Sequence, residues 1–302
     1  MLRTFTLVAG ALVAALAALV SGAAAGTEAP AQFPVTITTP SGKVTVPRRP
    51  TRIVSLSPTA TETLFAIGAG RQVVAVDDQS DYPSNAPKST LSGFTPNVEA
   101  IASYRPDLVV TSYNPRGFVE SLTRLRIPVI FHDAPKGFAG AYQQIRQLGL
   151  VTGRAQGAKR TIRAMKSRIA EIVRAARGKT GPLSVYHELT PDFYSASSAS
   201  FVGKLYRALG LENIADEADG AGTGFPQLSA EYIVASSPDL IVLADSVCCG
   251  QRPSTVAARP GWDRINAVRT GSIVRVHDSI ASRWGPRLVN FFRAMSRALA
   301  RL

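Results

Sequence analysis

The sequence predicts an α/β protein in which two lobes, each built on a parallel sheet, are joined by one long helix. Three observations support this prediction: strand–helix–strand patterns with short turns, an internal repeat, and a long amphipathic helix between the two copies of the repeat. A length of 302 residues, of which 45% are hydrophobic and 18% are charged, suits two such lobes. The same composition excludes collagen, coiled coil and wholesale disorder.

The chain begins with a pattern typical of an export signal. Arg3 precedes an almost wholly apolar run from Leu7 to Leu19, and Ala23-Ala24-Ala25 offers a cleavage site, so residues 1–25 are predicted to be a signal peptide. An uncleaved anchor is the alternative, although the run is marginal in length for a spanning helix. No cysteine precedes Cys248, so no lipid-accepting cysteine lies at the cleavage site. We therefore expect an exported protein of the periplasm or cell envelope without a lipid anchor.

A leader and a small hairpin are predicted at residues 26–50. Two short alternating runs, at 35–38 and 44–46, flank Pro40-Ser41-Gly42, which is a turn signal. The hairpin therefore precedes the first lobe as a separate unit.

Lobe 1 is predicted over residues 51–140. It opens with a β-branched strand at 52–56, which is followed by a helix and by a second strand at 73–76. The spacing of Thr59 and Glu62 is that of a capping box, which predicts that the helix starts there. Strand, helix and strand joined by short turns are typical of a parallel sheet.

An internal repeat indicates that the second half of the chain has the architecture of the first. Residues 99–110 and 231–242 share Glu, Ile, Pro-Asp-Leu and a final Val, and each block has the pattern of a helix stopped by proline before a buried strand. A second pair, at 129–133 and 274–278, ends a strand with His-Asp. Chance is the alternative for either pair alone, but two pairs in the same order favour duplicated lobes. Lobe 2 is accordingly predicted over residues 181–302.

The linking segment, residues 141–180, contains the pattern of a long helix. Apolar side chains recur at spacings of three and four from Ile162 to Ala176, and no proline interrupts residues 155–177. The opposite face is rich in Lys and Arg, and the whole chain carries a net charge of +13. Nucleic acid or anionic lipid is the alternative partner for that face, but charges that are spread rather than blocked favour a solvated surface, and we predict no nucleic-acid partner.

The only cysteines, Cys248 and Cys249, are adjacent. Export permits a disulfide, but neighbouring Cα atoms lie about 3.8 Å apart across a trans peptide, which is closer than most disulfides require. A vicinal disulfide and two free thiols therefore both stay open. A metal site made from this pair alone is disfavoured because tetrahedral sites need about four ligands.

His132 and His277 have the pattern of strand-end structure, so we predict no metal and no cofactor.

The sequence contains no Gly-x-Ser-x-Gly, no His-Glu-x-x-His and no phosphate-binding Gly-x-x-x-x-Gly-Lys motif. A binding protein is therefore predicted rather than an enzyme. A secreted hydrolase that uses His187 with Glu188 is the alternative.

Ligand-binding residues are expected at the carboxyl ends of the strands, where two facing α/β lobes form a cleft. A mixture of aromatic rings and arginines there suits a large, flat, partly anionic ligand. A packing or solvent role is the alternative for each single residue, above all for Tyr82. The candidates are Ser57, Pro58, Thr59, Asp81, Tyr82, Phe94, Tyr113 and Arg116 in lobe 1, and His187, Tyr194, Phe225, Arg283 and Trp284 in lobe 2.

These residues resemble the iron-siderophore and cobalamin class of extracytoplasmic substrate-binding proteins of ABC importers. The resemblance covers roughly residues 44–302. It implies two Rossmann-like lobes with parallel sheets joined by a single long α-helix, the class III periplasmic binding protein fold, and no catalysis. The motifs that carry it are the run from Arg52 to Gly70, Ser80-Asp81-Tyr82-Pro83, both Glu-x-Ile…Pro-Asp-Leu blocks and the run from Arg283 to Arg287.

The resemblance also implies a ligand and a partner. A monomer would capture a cobalamin-like corrinoid or a ferric siderophore, with haem or another metal chelate as the alternative, and deliver it to an ABC permease in the membrane. Glu99 and Glu231 match the family's permease-docking glutamates, and both also lie in the first turn of a predicted helix, where a carboxylate favours the helix dipole. Ser-Asp-Tyr-Pro is similar to the vitamin B12 binders, although Phe94 and Tyr113 stand where that subgroup has tryptophan.

Overall fold

The computed structural model of the protein describes residues 32–176 and 182–302. The predicted signal peptide and the predicted end of the long helix lie outside these residues. The described chain opens with an antiparallel hairpin, in which β1 (Val35–Thr39) pairs with β2 (Gly42–Val46) and Thr39 stands opposite Gly42. This pairing confirms the predicted hairpin.

The sheet of lobe 1 has four parallel strands in the order β4-β3-β5-β6. The first of them along the chain, β3, is buried at every position, as expected for an inner strand covered on both faces. The strands are β3 (Ile53–Leu56), β4 (Val73–Val76), β5 (Leu108–Thr111) and β6 (Val129–Phe131). The helices are α1 (Pro58–Ala66), α2 (Val98–Ser103), α3 (Phe118–Arg124) and α4 (Phe138–Val151), with 3₁₀ turns at Gly70–Gln72 and Pro115–Gly117.

The long helix between the two sheets is α5 (Ala155–Ala176), whose 22 residues span about 33 Å at about 1.5 Å per residue. Ile162, Met165 and Ile169 are buried along one face, as the periodicity predicts. Gly157 lies where α5 crosses the end of α1. Any Cβ at this position would overlap the carbonyl group of Ile67, so glycine permits the close approach of the two helices.

The sheet of lobe 2 has four parallel strands in the order β10-β9-β7-β8. Counted along the chain within each lobe, the strands of both sheets lie in the order two, one, three, four. The duplicated α/β architecture predicted from the repeat is therefore confirmed. The strands are β7 (Leu183–Glu188), β8 (Leu211–Asn213), β9 (Leu240–Leu243) and β10 (Ile273–Arg275). The helices are α6 (Phe201–Leu209), α7 (Ala215–Ala218), α8 (Ala230–Ser236), α9 (Pro253–Ala257), α10 (Asn266–Thr270), α11 (Asp278–Ala281) and α12 (Leu288–Leu299), with a 3₁₀ turn at Trp262–Arg264.

The aspartate of each Pro-Asp-Leu block has the same structural role in its lobe. Asp107 accepts the backbone N–H groups of Thr51 at 2.8 Å and Arg52 at 2.9 Å. Asp239 accepts the N–H of Ser184 at 2.9 Å. Each aspartate precedes the third strand of its lobe and binds the start of the first strand, so the repeat joins two neighbouring strands at their amino ends.

One hydrophobic cluster runs through both lobes. It contains Ile53 and Leu108 of lobe 1, buried side chains of α4 and α5, and Val185 and Phe291 of lobe 2. Two further clusters lie on the outer sides of the sheets, one in each lobe. Because close-packed interiors resist deformation, a core shared by both lobes favours small changes of the cleft over a wide opening.

The start of α1 differs from the predicted capping box. Ser57 is the N-cap, its Oγ accepts the N–H of Ala60 at 3.3 Å, and Pro58 occupies the first turn. Glu62 therefore lies one turn inside the helix, and its carboxylate has other partners. Within the described ranges, no helix has both the length and the apolar composition that crossing a bilayer requires.

Candidate ligand-binding cleft

A cavity of about 680 Å³ lies between the carboxyl ends of the two sheets. Its lobe 1 wall consists of loops that follow β3, β4 and β5, and its lobe 2 wall consists of loops that follow β9 and β10. This is where open α/β sheets bind ligands, and the volume is that of an ordinary ligand pocket. The lining residues are Leu56, Ser57, Pro58, Thr59, Asp77, Asp78, Gln79, Asp81, Gly93, Phe94, Ser112 and Tyr113 of lobe 1, and Val247, Cys248, His277, Asp278, Ser279, Ser282, Arg283 and Trp284 of lobe 2.

Most of the residues predicted to bind ligand line this cavity, namely Ser57, Pro58, Thr59, Asp81, Phe94, Tyr113, Arg283 and Trp284. Tyr82 does not. It lies in a neighbouring groove, where the guanidinium of Arg287 is 4.3 Å from its ring centroid, so the packing alternative describes it better. Arg116, Tyr194 and Phe225 are exposed, but they are not part of the cavity lining.

His187 is a correction to the predicted site. Strand β7 continues to Glu188, so His187 lies within the sheet opposite Val242 and not in the loop beyond it. The side chain is fully buried, with Nδ1 2.5 Å from the hydroxyl oxygen of Tyr206, and burial lowers the pKa of His187 to about 3. Glu188 is also buried and accepts both arms of Arg259 at 2.6 and 2.7 Å. The pair proposed for a hydrolase therefore presents no group to a substrate.

An aromatic pair forms the apolar part of the lobe 1 wall. Phe94 is 70% exposed and Tyr113 is 50% exposed, and their ring centroids are 6.3 Å apart. The backbone of each is held locally, since Ser92 Oγ accepts the N–H of Phe94 at 3.2 Å and Thr111 Oγ1 donates to the carbonyl of Tyr113 at 2.9 Å. Large exposed rings that line a concave surface are a common mark of ligand contact.

Arg283 reaches the cavity with both terminal nitrogens of its guanidinium already hydrogen-bonded. Its Nη1 donates to Glu62 Oε1 and Asp81 Oδ1, both at 2.8 Å, and its Nη2 donates to the carbonyl of Gln79 at 2.9 Å. The indole of Trp284 likewise donates to Gln144 at 2.7 Å. These lobe 2 side chains thus connect to lobe 1, and the guanidinium of Arg283 is engaged by carboxylates of the protein itself.

Glu62 is a structural residue that sequence reasoning missed. It is 2% exposed, and besides Arg283 it accepts Arg287 Nη2 at 2.6 Å. One carboxylate of α1 therefore holds two guanidiniums from the lobe 2 segment that crosses over to lobe 1. Two features of the sequence could have indicated this role. Glu62 is the only charged residue of the α1 segment, and Arg283 and Arg287 lie four residues apart.

The cavity lining is acidic. Four aspartates line it, whereas Arg283 is the one lysine or arginine in the described lining. Burial raises the pKa of Asp77 to about 6, against the opposing effect of the Gln79 N–H and the Ser80 hydroxyl. Partial burial also opposes ionisation of Asp81, but the hydrogen bond and charge of Arg283 outweigh it and lower the pKa of Asp81. The cavity therefore offers hydrogen-bond acceptors without an unengaged cation.

Six lining residues of lobe 2 lay outside the predicted set, namely Val247, Cys248, His277, Asp278, Ser279 and Ser282. Val247 and Cys248 follow β9, and Cys248 forms a disulfide with Cys249, which decides between the two alternatives for the cysteines. His277 is exposed, and its Nδ1 accepts the N–H of Ser279 at 3.2 Å, so the neutral ring carries its proton on Nε2. In the described part of the chain, His, Cys, Asp and Glu side chains form no group of three or more that could hold a metal ion.

The two repeat glutamates occupy equivalent places in the two lobes. Glu99 is the second residue of α2 and Glu231 is the second residue of α8, and both are exposed. The helices are capped alike, by Asn97 and Ser229. The backbone N–H at the start of α8 and the Ser229 hydroxyl lower the pKa of Glu231, so its carboxylate stays ionised at neutral pH.

With this fold and cleft, the chain belongs to the periplasmic binding protein family, whose sequence profile matches residues 53–280. It is 30% identical to an uncharacterized ABC transporter substrate-binding lipoprotein of Bacillus subtilis, over 88% of this chain and 86% of the relative. It is 31% identical to a cobalamin-binding protein of Halobacterium salinarum, over 88% of this chain and 74% of the relative.

Solved structures show the same fold. The periplasmic vitamin B12-binding protein of Vibrio cholerae superposes with a TM-score of 0.69 at 21% identity, over 83% of this chain and 96% of that chain. A periplasmic heme-binding protein of Roseiflexus superposes with a TM-score of 0.71 at 24% identity, over 83% of this chain and 98% of that chain. The fold is that of the class III periplasmic binding proteins, as predicted.

Proposed function

We propose that this protein is the substrate-binding component of an ABC importer and that it captures a cobalamin-like corrinoid in the cleft between its lobes. One observation carries the choice of ligand. The cavity of about 680 Å³ combines an exposed aromatic pair with aspartate acceptors, and the one arginine in its described lining is engaged by lobe 1. The cobalamin-binding relative at 31% identity supports the same choice.

A corrinoid matches this lining chemically. Its macrocycle is large and flat, which suits contact with Phe94 and Tyr113. Its peripheral amides donate N–H groups, for which the exposed carboxylate of Asp78 in the cavity lining is an acceptor. Haem carries two carboxylates, and catecholate siderophores form anionic iron complexes, so each would bring negative charge to a wall that is already acidic. A ferric hydroxamate without net negative charge is the siderophore class that this lining tolerates.

Delivery to the permease is proposed to use Glu99 and Glu231. The two carboxylates are exposed on equivalent helices of the two lobes, so a permease with two similar halves meets one glutamate from each lobe. We further propose that residues 1–25 are removed during export and that the mature protein acts as a monomer. Amino-terminal sequencing of the exported protein tests the first point, with Gly26 as the expected new terminus.

Isothermal titration tests the ligand assignment. Purified mature protein is titrated at pH 7.5 with cyanocobalamin, with a ferric hydroxamate and with haemin. We expect one-to-one binding of cyanocobalamin and weaker binding of haemin. Tight binding of haemin together with no heat from cyanocobalamin would contradict the corrinoid assignment.

Uptake of labelled cyanocobalamin by cells that produce the protein tests docking. Glu99→Ala and Glu231→Ala together are expected to lower uptake at least about tenfold while the Kd for cyanocobalamin stays unchanged. Glu120→Ala is the matched control, because Glu120 is an exposed first-turn glutamate of α3 outside the repeat. Loss of affinity in the double variant, or equal loss of uptake in the control, contradicts the docking role.

A further inference from the structure

The loop after β9 brings a vicinal disulfide to the edge of the cleft. Val247 and Cys248 line the cavity, and Val247 is 60% exposed. Cys248 and Cys249 are both exposed, and they are joined to each other. An exposed valine beside a disulfide forms an apolar surface that the packing of lobe 2 does not require. Exposed apolar surface in a concave site indicates contact with a ligand.

This surface is held in place from two sides. Asp278, at the start of α11, accepts the N–H of Val247 at 3.1 Å and the N–H of Cys248 at 2.7 Å. The carbonyl of Asp245 accepts the N–H of Cys249 at 3.2 Å. The backbone donors are therefore directed into the protein, so the side of the loop that faces the cavity is left with the valine methyl groups and sulfur.

We infer that Val247 and the Cys248–Cys249 disulfide form the lobe 2 contact for the flat face of the ligand, across the cavity from Phe94 and Tyr113, and that the intact bridge sets the affinity. This inference rests on the proposed function, since it specifies how the same cleft recognises a macrocycle. Sulfur is polarisable and makes favourable contacts with π systems.

The bridge also prepares the surface before ligand arrives. It removes both S–H groups and fixes both cysteine side chains in one ring with the peptide between them. A surface that is already ordered loses less conformational entropy on binding. Opening the bridge frees two side chains, which at a typical cost for each immobilised side chain corresponds to about a tenfold loss of affinity.

Titration with cyanocobalamin tests the inference. Cys248→Ser combined with Cys249→Ser is expected to weaken binding about tenfold, and Val247→Ala is expected to weaken it about threefold. Leu125→Ala is the matched control, because Leu125 is 53% exposed but does not line the cavity, and its Kd is expected to be unchanged. Thermal unfolding of each variant confirms that the fold is retained.

Chemical reduction of the wild type gives a measurement that needs no substitution. A water-soluble phosphine breaks the S–S bond, takes an oxygen atom from water to become the phosphine oxide, and leaves two thiols. After desalting under nitrogen, the reduced wild type is expected to match the double serine variant, and the same treatment is expected to leave that variant unchanged.

The outcomes separate the two proposals. If the oxidised wild type binds cyanocobalamin but both the double serine variant and the reduced protein keep its Kd within twofold, the disulfide contact is overturned and the proposed function stands. If the oxidised wild type binds no cyanocobalamin, the corrinoid assignment and the inference that rests on it both fall. A weaker Kd in the serine variant and the reduced protein, with Leu125→Ala unchanged, supports the contact.

Discussion

The two lobes share a scaffold but differ where they meet at the cleft. Both sheets have the same strand order, and in both an aspartate before the third strand binds the start of the first. At the strand ends, lobe 1 presents the rings of Phe94 and Tyr113, whereas lobe 2 presents Val247 and a disulfide. The duplicated features are those that each sheet needs in order to fold. The cleft loops are free of that requirement and can differ.

The histidines of the repeated His-Asp pairs also differ between the scaffold of one lobe and the cleft of the other. His132 is buried, its Nε2 is 2.8 Å from Gln147 Oε1, and burial lowers the pKa of His132 to about 4. His277 occupies the matching place in lobe 2, but it is exposed and lines the cavity. One repeated residue type therefore serves packing in one lobe and the ligand cleft in the other.

The largest expected effect comes from breaking the link between the lobes. Glu62→Gln leaves Arg283 and Arg287 without their buried carboxylate, so we expect the free energy of unfolding to fall by about 3 kcal/mol. Urea unfolding measures it. Glu171→Gln is the matched control, since its partner Arg168 and Glu171 are mostly exposed, and its effect should stay within about 0.5 kcal/mol. Equal effects in both variants would contradict the buried link.

The aromatic residues of the two lobes are expected to differ in their effect on binding. Phe94→Ala combined with Tyr113→Ala should weaken cyanocobalamin binding by about 30-fold, because about 2 kcal/mol of ring contact is lost. Tyr194→Ala combined with Phe225→Ala should leave the Kd unchanged, because these exposed lobe 2 rings do not line the cavity. Titration calorimetry measures both, and the opposite ranking would place the ligand elsewhere.

The repeated aspartates are expected to contribute equally. Asp107→Ala leaves the backbone N–H groups of Thr51 and Arg52 unpaired and Asp239→Ala leaves that of Ser184 unpaired, so each should lower the free energy of unfolding by about 1–2 kcal/mol. Chemical denaturation with a fitted midpoint compares the two variants directly. A large loss in one lobe and none in the other would show that the shared sequence block does not have a shared structural role.

The smallest expected effect is a pH-dependent difference in Tm between the wild type and a variant that lacks the carboxyl group of Asp245. This side chain is buried, neither of its carboxyl oxygens has a partner in the described chain, and burial, then the charge of Glu188, raise its pKa to about 7, with Arg259 opposing. Between the unfolded pKa of 3.8 and pH 7, the native state keeps a proton that the unfolded chain releases. The stability contributed by this group is therefore complete below that window and is lost as the pH rises through it.

Asp245→Asn cannot ionise, so we expect its Tm to exceed that of the wild type by about 2–4 °C at pH 8 and to match it near pH 4. Asp77→Asn is the lobe 1 control. Burial raises the pKa of Asp77 as well, but Asp77 accepts the N–H of Gln79 at 2.8 Å and the hydroxyl of Ser80 at 3.1 Å, so replacement removes part of a satisfied acceptor and the gain in Tm at pH 8 is expected to be smaller than at Asp245. Scanning calorimetry at pH 4 and pH 8 measures the Tm of both variants. An increase in Tm for Asp245→Asn that is the same at both pH values would contradict the assignment of the effect to ionisation of Asp245.

The sequence by itself determined the scaffold. Strand runs, the periodicity of α5 and the ordered repeat predicted two parallel sheets and a joining helix, because these signals come from residues that are neighbours along the chain. The same local reasoning placed Phe94, Tyr113 and Asp81 in the cleft, since each follows a strand end.

Only the tertiary structure decided which side chains face the cavity. Because β7 continues through Glu188, His187 lies inside the sheet and is buried in the core, not exposed at a strand end. Glu62 meets Arg283 and Arg287 across more than 200 positions of sequence, a pairing that no local pattern encodes. Arg283 shows the same limit: its position in the cleft was readable from the sequence, but the carboxylates that its guanidinium contacts belong to the other lobe.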